Sequence, residues 1–183
     1  MENILNIKIN NTIKYFLISL LGSVLLVVSA KIKIPFYPVP MTMQTFVVLF
    51  LGISFGYKIG LTSVGLYLFE GIIGLPVFSN SPEKGIGLIY FTGPTMGYLI
   101  GFLFAVFIVG YFKYDKNHIQ IFLKLIFSVT FIYLLGVLWL TYLIGSDKPI
   151  FKLGVQPFLL AEIFKLLILT ALYPSAKKIR NII

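Results

Sequence analysis

The chain contains no cysteine, which excludes a disulfide framework, a zinc–thiolate site and a cysteine nucleophile. Charge is scarce as well: of 183 residues, 11% are charged and 58% apolar, and the mean hydropathy is +0.98. Soluble domains carry about 25% charged and 45–50% apolar residues, so this composition is that of an integral membrane protein. Histidine occurs once, at His118. A Ser/His/Asp arrangement is therefore not available, and His118 has no metal-ligand company, so it reads as a solvated loop residue. Neither G-x-x-x-x-G-K-[ST] nor H-E-x-x-H is present, so the chain does not itself hydrolyse ATP. No catalytic residue, metal or cofactor is assigned. The net charge of +9 comes from basic residues spread singly through short loops. Without a basic stripe interleaved with aromatics no nucleic-acid partner is expected, and contact with lipid headgroups accounts for the charge.

What the chain does have is apolar runs of spanning length. About 17–25 apolar residues cross a bilayer as a helix, and fewer suffice inside a packed bundle. Six such spans are predicted, at 13–30, 41–56, 59–75, 94–112, 121–144 and 157–174, forming one domain over 1–183. The fold class is an all-α integral membrane protein, a compact bundle of six transmembrane helices. No small-residue cleavage site follows the first apolar run, so it reads as a retained span rather than a signal peptide. Lys8, Lys14, Lys58, Lys113, Lys116, Lys124, Lys177, Lys178 and Arg180 fall on one side; Lys31, Lys33, Lys84, Lys148 and Lys152 fall on the other. That excess places both termini in the cytoplasm.

The proline-rich stretch I-P-F-Y-P-V-P-M-T-M-Q-T, Ile34 to Thr45, then lies outside. Pro35, Pro38 and Pro40 fix φ and lack an amide proton, so the segment is expected to be neither helix nor paired strand but a stiff apolar cover over a small-molecule site. The second outer connection, from Ile72 to Gly93, is long and glycine-rich, as lids and binding loops often are.

Glu162 and Lys165 stand out within L-L-A-E-I-F-K, one turn into the sixth span and three residues apart on one helix face. Each charge costs about 2.5–3.5 kcal/mol at a helix centre, which marks intramembrane ions as functional unless they merely neutralise each other. The functional reading is a clamp in which the carboxylate accepts from ligand N–H groups and the ammonium donates to a carbonyl or carboxylate. Glu70 is either a second ligand contact or a headgroup-zone charge. Gln44 needs a partner in an apolar bundle, either ligand or a neighbouring helix. Asn80 is a turn former or a polar finger into the site, and Tyr98 lies below an outer loop among small residues. Trp139 reads as packing. Gly52 with Gly56 and Gly97 with Gly101 make G-x-x-x-G steps suited to internal helix packing, while Ser19 and Ser23 on the first span form a step that can dock another membrane protein.

I-P-F-Y-P-V-P-M-T-M-Q-T, Y-L-F-E-G-I-I-G-L-P-V-F and F-T-G-P-T-M-G-Y-L-I-G-F together resemble the BioY family, the biotin-specific substrate-binding subunits of energy-coupling factor transporters. G-V-Q-P-F-L-L-A-E-I-F-K is similar to that family's sixth-span pattern, with Glu162 where aspartate is common. Met96 stands where the family usually has glycine, and S-N-S-P-E-K is more polar than its usual loop. The resemblance implies high-affinity capture of biotin from outside and docking on a transmembrane coupling subunit with two ATP-binding-cassette ATPases. It implies a site in which Glu162 takes the ureido N–H groups and Lys165 the ureido oxygen or the carboxylate. Asn80, Gln44 and Tyr98 would complete the polar set, Phe36, Val77 and Phe78 would line the apolar part, and Ser19 and Ser23 would serve docking. The cytoplasmic membrane is the implied location. The alternative is a standalone secondary carrier for biotin or a related vitamin, with Glu70 and Glu162 as its only acids for an ion relay; a purely structural scaffold explains the spans but not the clamp.

Overall fold

The structure is a computed structural model and describes residues 10–114 and 117–182. Lys8 and Lys116 of the charge tally lie outside those residues. Helix α1 (Asn11–Lys31) starts where the Asn10 side chain accepts a hydrogen bond from the Thr12 amide at 3.2 Å. Two short strands follow, β1 (Lys33–Ile34) and β2 (Met41–Thr42), paired antiparallel with Ile34 opposite Met41. This corrects the expectation that no part of the Ile34–Thr45 stretch pairs. Its ends do pair, and all three prolines sit in the loop between them, where no ladder hydrogen bond is asked of them.

Helix α2 (Gln44–Ile72) is not one rod. Gly56 has φ 78°, a left-handed value that costs a side-chain-bearing residue energy, and the chain folds back there. The Gln44 side chain donates to the Tyr67 hydroxyl at 2.7 Å, which a straight helix would place roughly 34 Å apart at 1.5 Å per residue. The expected second and third spans are therefore the two arms of one helical hairpin. A 3₁₀ turn, Gly87–Thr92, leads to α3 (Met96–Tyr111). Helix α4 (His118–Ile144) is capped by Asn117, whose side chain accepts from the Ile119 amide at 2.9 Å. His118 is the exposed first residue of that helix rather than a loop residue. The short α5 (Ile150–Gly154) and a turn at Gln156–Phe158 precede α6 (Leu159–Ile182).

With α2 counted as two arms, six long helical segments alternate in direction, as the apolar runs predict. The sixth runs past Pro174, which was expected to end it; Pro174 is exposed, and the lost backbone bond does not stop the last turns. Among the described residues four helices are long and apolar enough to cross a membrane, and α3 is a shorter apolar one. Gly97 and Gly101 sit against the α4 backbone at Leu135 and Ile132, so close that any side chain would collide. Gly52 packs likewise on α3 at Val109, whereas Gly56 makes the reversal instead of a packing step. The outer faces of α1, α4 and α6 expose Leu21, Val24, Leu123, Leu138, Leu160 and Phe164, the surface a hydrocarbon layer covers.

Alternation sends Lys14, Lys58, Lys113, Lys124, Lys177 and Arg180 to one end of the bundle. It sends Lys31, Lys33 and Lys84 to the other, with the proline loop.

Candidate functional site

At the proline-loop end the helices enclose a cavity with about 550 Å³ of space between its lining atoms, mouth included. Ligand sites of small molecules commonly have mostly apolar walls with few polar groups. Val39, Pro40 and Met41, from the proline stretch, are among the residues that line it. Its walls come from α3 (Tyr98, Leu99, Phe102), α4 (Ile132, Tyr133) and Phe158.

Among the described residues the one charged group on the lining is Glu162, in the first turn of α6 and 5% exposed. Its Oε1 accepts from the Thr45 hydroxyl at 2.8 Å and from the Lys165 ammonium at 2.6 Å. Its Oε2 is buried and has no hydrogen-bond partner. The Tyr133 hydroxyl is near this carboxylate without forming a proper hydrogen bond to it. A buried carboxylate oxygen left unpaired costs more than a neutral group would, so the arrangement is complete only when something donates to it.

Lys165 is 5% exposed and does not line the cavity. Its three protons go to Glu162 Oε1, the Thr42 carbonyl at 2.7 Å and the Thr45 hydroxyl at 3.0 Å. An ammonium has three donors, and all are engaged. The expected two-sided clamp is thus one-sided here: Lys165 positions Glu162 and Thr45, and Glu162 alone presents a charge to the cavity.

Gln44 and Tyr98 both line the cavity, and each has a protein partner. Gln44, the first residue of α2 rather than one turn inside it, binds Tyr67, and the Tyr98 hydroxyl donates to the Gly154 carbonyl at 2.8 Å. Phe78 lines the cavity too. It is stacked on Tyr90 at 4.5 Å and edge-on to Tyr67 and Phe91, both at 5.3 Å. Gly71 makes room for that ring, since a β-carbon there would overlap it.

Three expected residues stand off the lining. Phe36 packs edge-on against Phe158 at 6.1 Å from behind the wall. Val77 is buried in the core beside Phe78. Asn80 accepts from Lys33 at 3.0 Å and lines a small neighbouring depression that shares Tyr90 and Thr95 with the cavity.

The loop bearing Phe78 and Ser79 is fastened by two lysines, Lys31 at the end of α1 and Lys33 in β1. Lys31 donates to the carbonyls of Pro76 and Phe78 at 2.8 Å and of Ser81 at 3.1 Å, and Lys33 donates to the Ser79 carbonyl. Trp139 has a packing role, its indole N–H donating to the Gly93 carbonyl at 2.8 Å.

Ser19 and Ser23, expected to face a docking partner, are 1% and 0% exposed. They face inward, and the Ser23 hydroxyl donates to Glu70 at 2.8 Å. Glu70 therefore neither lines the cavity nor meets Glu162.

Tyr67, Tyr90, Tyr133 and Phe158 were not foreseen as lining residues. With 18 Phe and 11 Tyr in the chain, aromatic identity selects nothing; only the crossing of the segments does.

A bundle of apolar helical segments with a mostly apolar cavity at the proline-loop end, and on its lining an acid with one unpaired oxygen, is a membrane protein with room for a small polar-headed molecule. The comparisons with known proteins narrow that class. The sequence model of the BioY family matches residues 3–181. The chain belongs to the BioY family. It is 35% identical over 156 residues to the biotin transporter BioY of Thermotoga maritima, covering 85% of this chain and 90% of that one. It is 36% identical over 138 residues to a probable biotin transporter BioY of Pyrococcus horikoshii, covering 75% and 80%. A crystal structure of the S-component for biotin from an ECF-type ABC transporter superposes with a TM-score of 0.77 at 26% identity, over 96% of this chain and 95% of that one.

Proposed function

We propose that this protein captures biotin and serves its uptake as the substrate-binding subunit of an ECF-type transporter in the cytoplasmic membrane. One observation carries the reading at the level of chemistry: a buried carboxylate on the cavity lining whose Oε2 lacks a donor. Biotin's ureido group offers two N–H donors, and its thiophane ring and tail suit walls of Phe, Tyr, Leu and Ile. Glu162 accepts the ureido N–H groups, and Lys165 holds Glu162 in place. A molecule without that donor pair leaves Oε2 unpaired at a cost, which is the source of discrimination.

Uptake needs energy that this chain does not generate, having no ATP-binding motif. In this reading a transmembrane coupling subunit and two ATPase subunits supply it, as the kinship with an ECF S-component suggests. Both termini are cytoplasmic, on the distribution of lysine and arginine. The cavity then opens toward the outside. The carrier reading needs Glu70 and Glu162 in one relay, and their separate partners lend it no support.

The test is titration calorimetry of the detergent-purified protein with biotin, dethiobiotin and thiamine. Biotin binds and thiamine does not, and Glu162→Gln weakens biotin by about 100-fold, the loss of a hydrogen-bonded pair to a charged acceptor. No biotin binding by folded wild-type protein overturns the function. Unchanged affinity in Glu162→Gln overturns the site.

A further inference from the structure

The end of the bundle remote from Glu162 holds a second, larger space, about 930 Å³ between its lining atoms, mouth included. It lies where α3 ends, beside the last turns of α6. From Glu162 to Lys177 is roughly 22 Å along the helix axis at 1.5 Å per residue, so the two cavities sit toward opposite surfaces of a bilayer. Lys113, Lys177 and Arg180 line this space with Tyr111, Tyr114 and Tyr173.

Among the described residues no carboxylate lines it. Arg180 donates to the Gly110 carbonyl at 3.2 Å and Lys177 to the Tyr114 carbonyl at 3.5 Å. Each of these contacts uses one donor on a backbone carbonyl near the end of α3 and leaves the rest of the head free. Lys113 makes no side-chain hydrogen bond among the described residues. Behind the wall Lys124 adds a fourth positive charge, its ammonium 5.4 Å from the Tyr114 ring centre and its donor on the Lys113 carbonyl.

Like charges gathered around one space repel, and an anion seated among them removes that cost. The guanidinium fork and two ammonium groups match the several oxygens of a phosphate better than the two of a carboxylate. Basic pockets between membrane helices on the cytoplasmic side are where anionic headgroups dock. We propose that this second cavity is a phosphate-binding site, filled in the bilayer by the headgroup of an acidic phospholipid.

The experiment uses the full chain, delipidated in detergent and titrated in mixed micelles with phosphatidylglycerol or phosphatidylcholine. Binding is read by native mass spectrometry and by the melting temperature, and a parallel titration uses inorganic phosphate. Phosphatidylglycerol binds and raises the melting temperature while phosphatidylcholine does neither. The triple variant Lys113→Gln, Lys177→Gln, Arg180→Gln binds phosphatidylglycerol at least about tenfold more weakly, with biotin affinity unchanged as the check on folding. A response to inorganic phosphate alone assigns the site to soluble phosphate, and its absence assigns it to lipid; both support a phosphate site. If the triple variant does not fold, Lys113→Gln is read by itself and binds at least about threefold more weakly. Equal binding of the two lipids, or unchanged phosphatidylglycerol affinity in the folded variant, overturns the proposal.

Discussion

At the ligand end, Lys31, Lys33 and Lys165 all direct their ammonium protons at protein acceptors: loop carbonyls, the Asn80 side chain, Thr45 and Glu162. At the far end, Lys113, Lys177 and Arg180 share an open space with few acceptors. The same residue type is a structural fastener in one place and an unspent charge in the other. For Lys165 the difference lies in desolvation, since a buried ammonium must have its protons satisfied on the spot. Lys31 and Lys33 are exposed, and what sets them apart is a row of loop carbonyls within reach. The lysine beside the cavity is therefore the one least free to face it, and the acid it holds is the charge on the lining.

The largest effect should come from breaking the buried pair. Lys165→Met strands the Glu162 carboxylate and should destabilise the protein by about 3–5 kcal/mol, seen as a fall in melting temperature. The double variant with Glu162→Gln should recover part of that loss while still binding biotin about 100-fold more weakly than wild type. If Lys165→Met melts like wild type, Lys165 is not a fastener and the contrast between the ends collapses.

A smaller effect tests the aromatic wall. Gly71→Ala drives a methyl into the space of the Phe78 ring, and overpacking of this kind costs about 1–3 kcal/mol. Biotin affinity should fall about tenfold, read by calorimetry, with helix content by circular dichroism unchanged. Wild-type affinity would mean that Phe78 moves aside without consequence for the site.

The mildest effect concerns the loop. Lys31→Ala removes three hydrogen bonds from the 76–81 loop at a partly exposed position, so the cost is a fraction of the buried pair's. Biotin should leave about fivefold faster, and Lys31→Arg should restore most of the difference. The absence of native cysteine allows a single one at Glu83 to report the loosening through its labelling rate. An unaltered release rate would show that the loop is held by its aromatic packing alone.

Much of this architecture is legible in the sequence because bilayer thickness sets a length and an apolar content that each crossing must meet. Those two quantities are written residue by residue, which is why six runs correspond to six helical segments. The hairpin at Gly56 was readable as two spans, but not its left-handed turn. The pairing of Ile34 with Met41 was not readable either, since three prolines argue against a ladder and say nothing about the residues flanking them. The helix end beyond Pro174 escaped for the opposite reason: one missing amide proton is a local signal, and the helix continues over it.

The candidate site divides in the same way. Glu162 and Lys165 announced themselves because charge in a membrane segment is costly wherever the segment lies. Which of the two meets the cavity was decided only by Thr42 of β2 and Thr45 at the start of α2, brought in to take up the lysine's protons. Ser19 and Ser23 share a helix face by their spacing, but the choice between a neighbour and a partner for that face was made by the packing of α1 on α2. Asn80, Phe36 and Val77 fell close to the site without lining it, because a few ångströms of loop path separate the wall from the layer behind it. The sequence by itself determined the solvent of this protein, the number of its apolar helical segments and the charges that required an explanation. Tertiary structure alone decided which polar atom was left unpaired at the cavity, because satisfying a buried group depends on neighbours more than a hundred residues away in the chain.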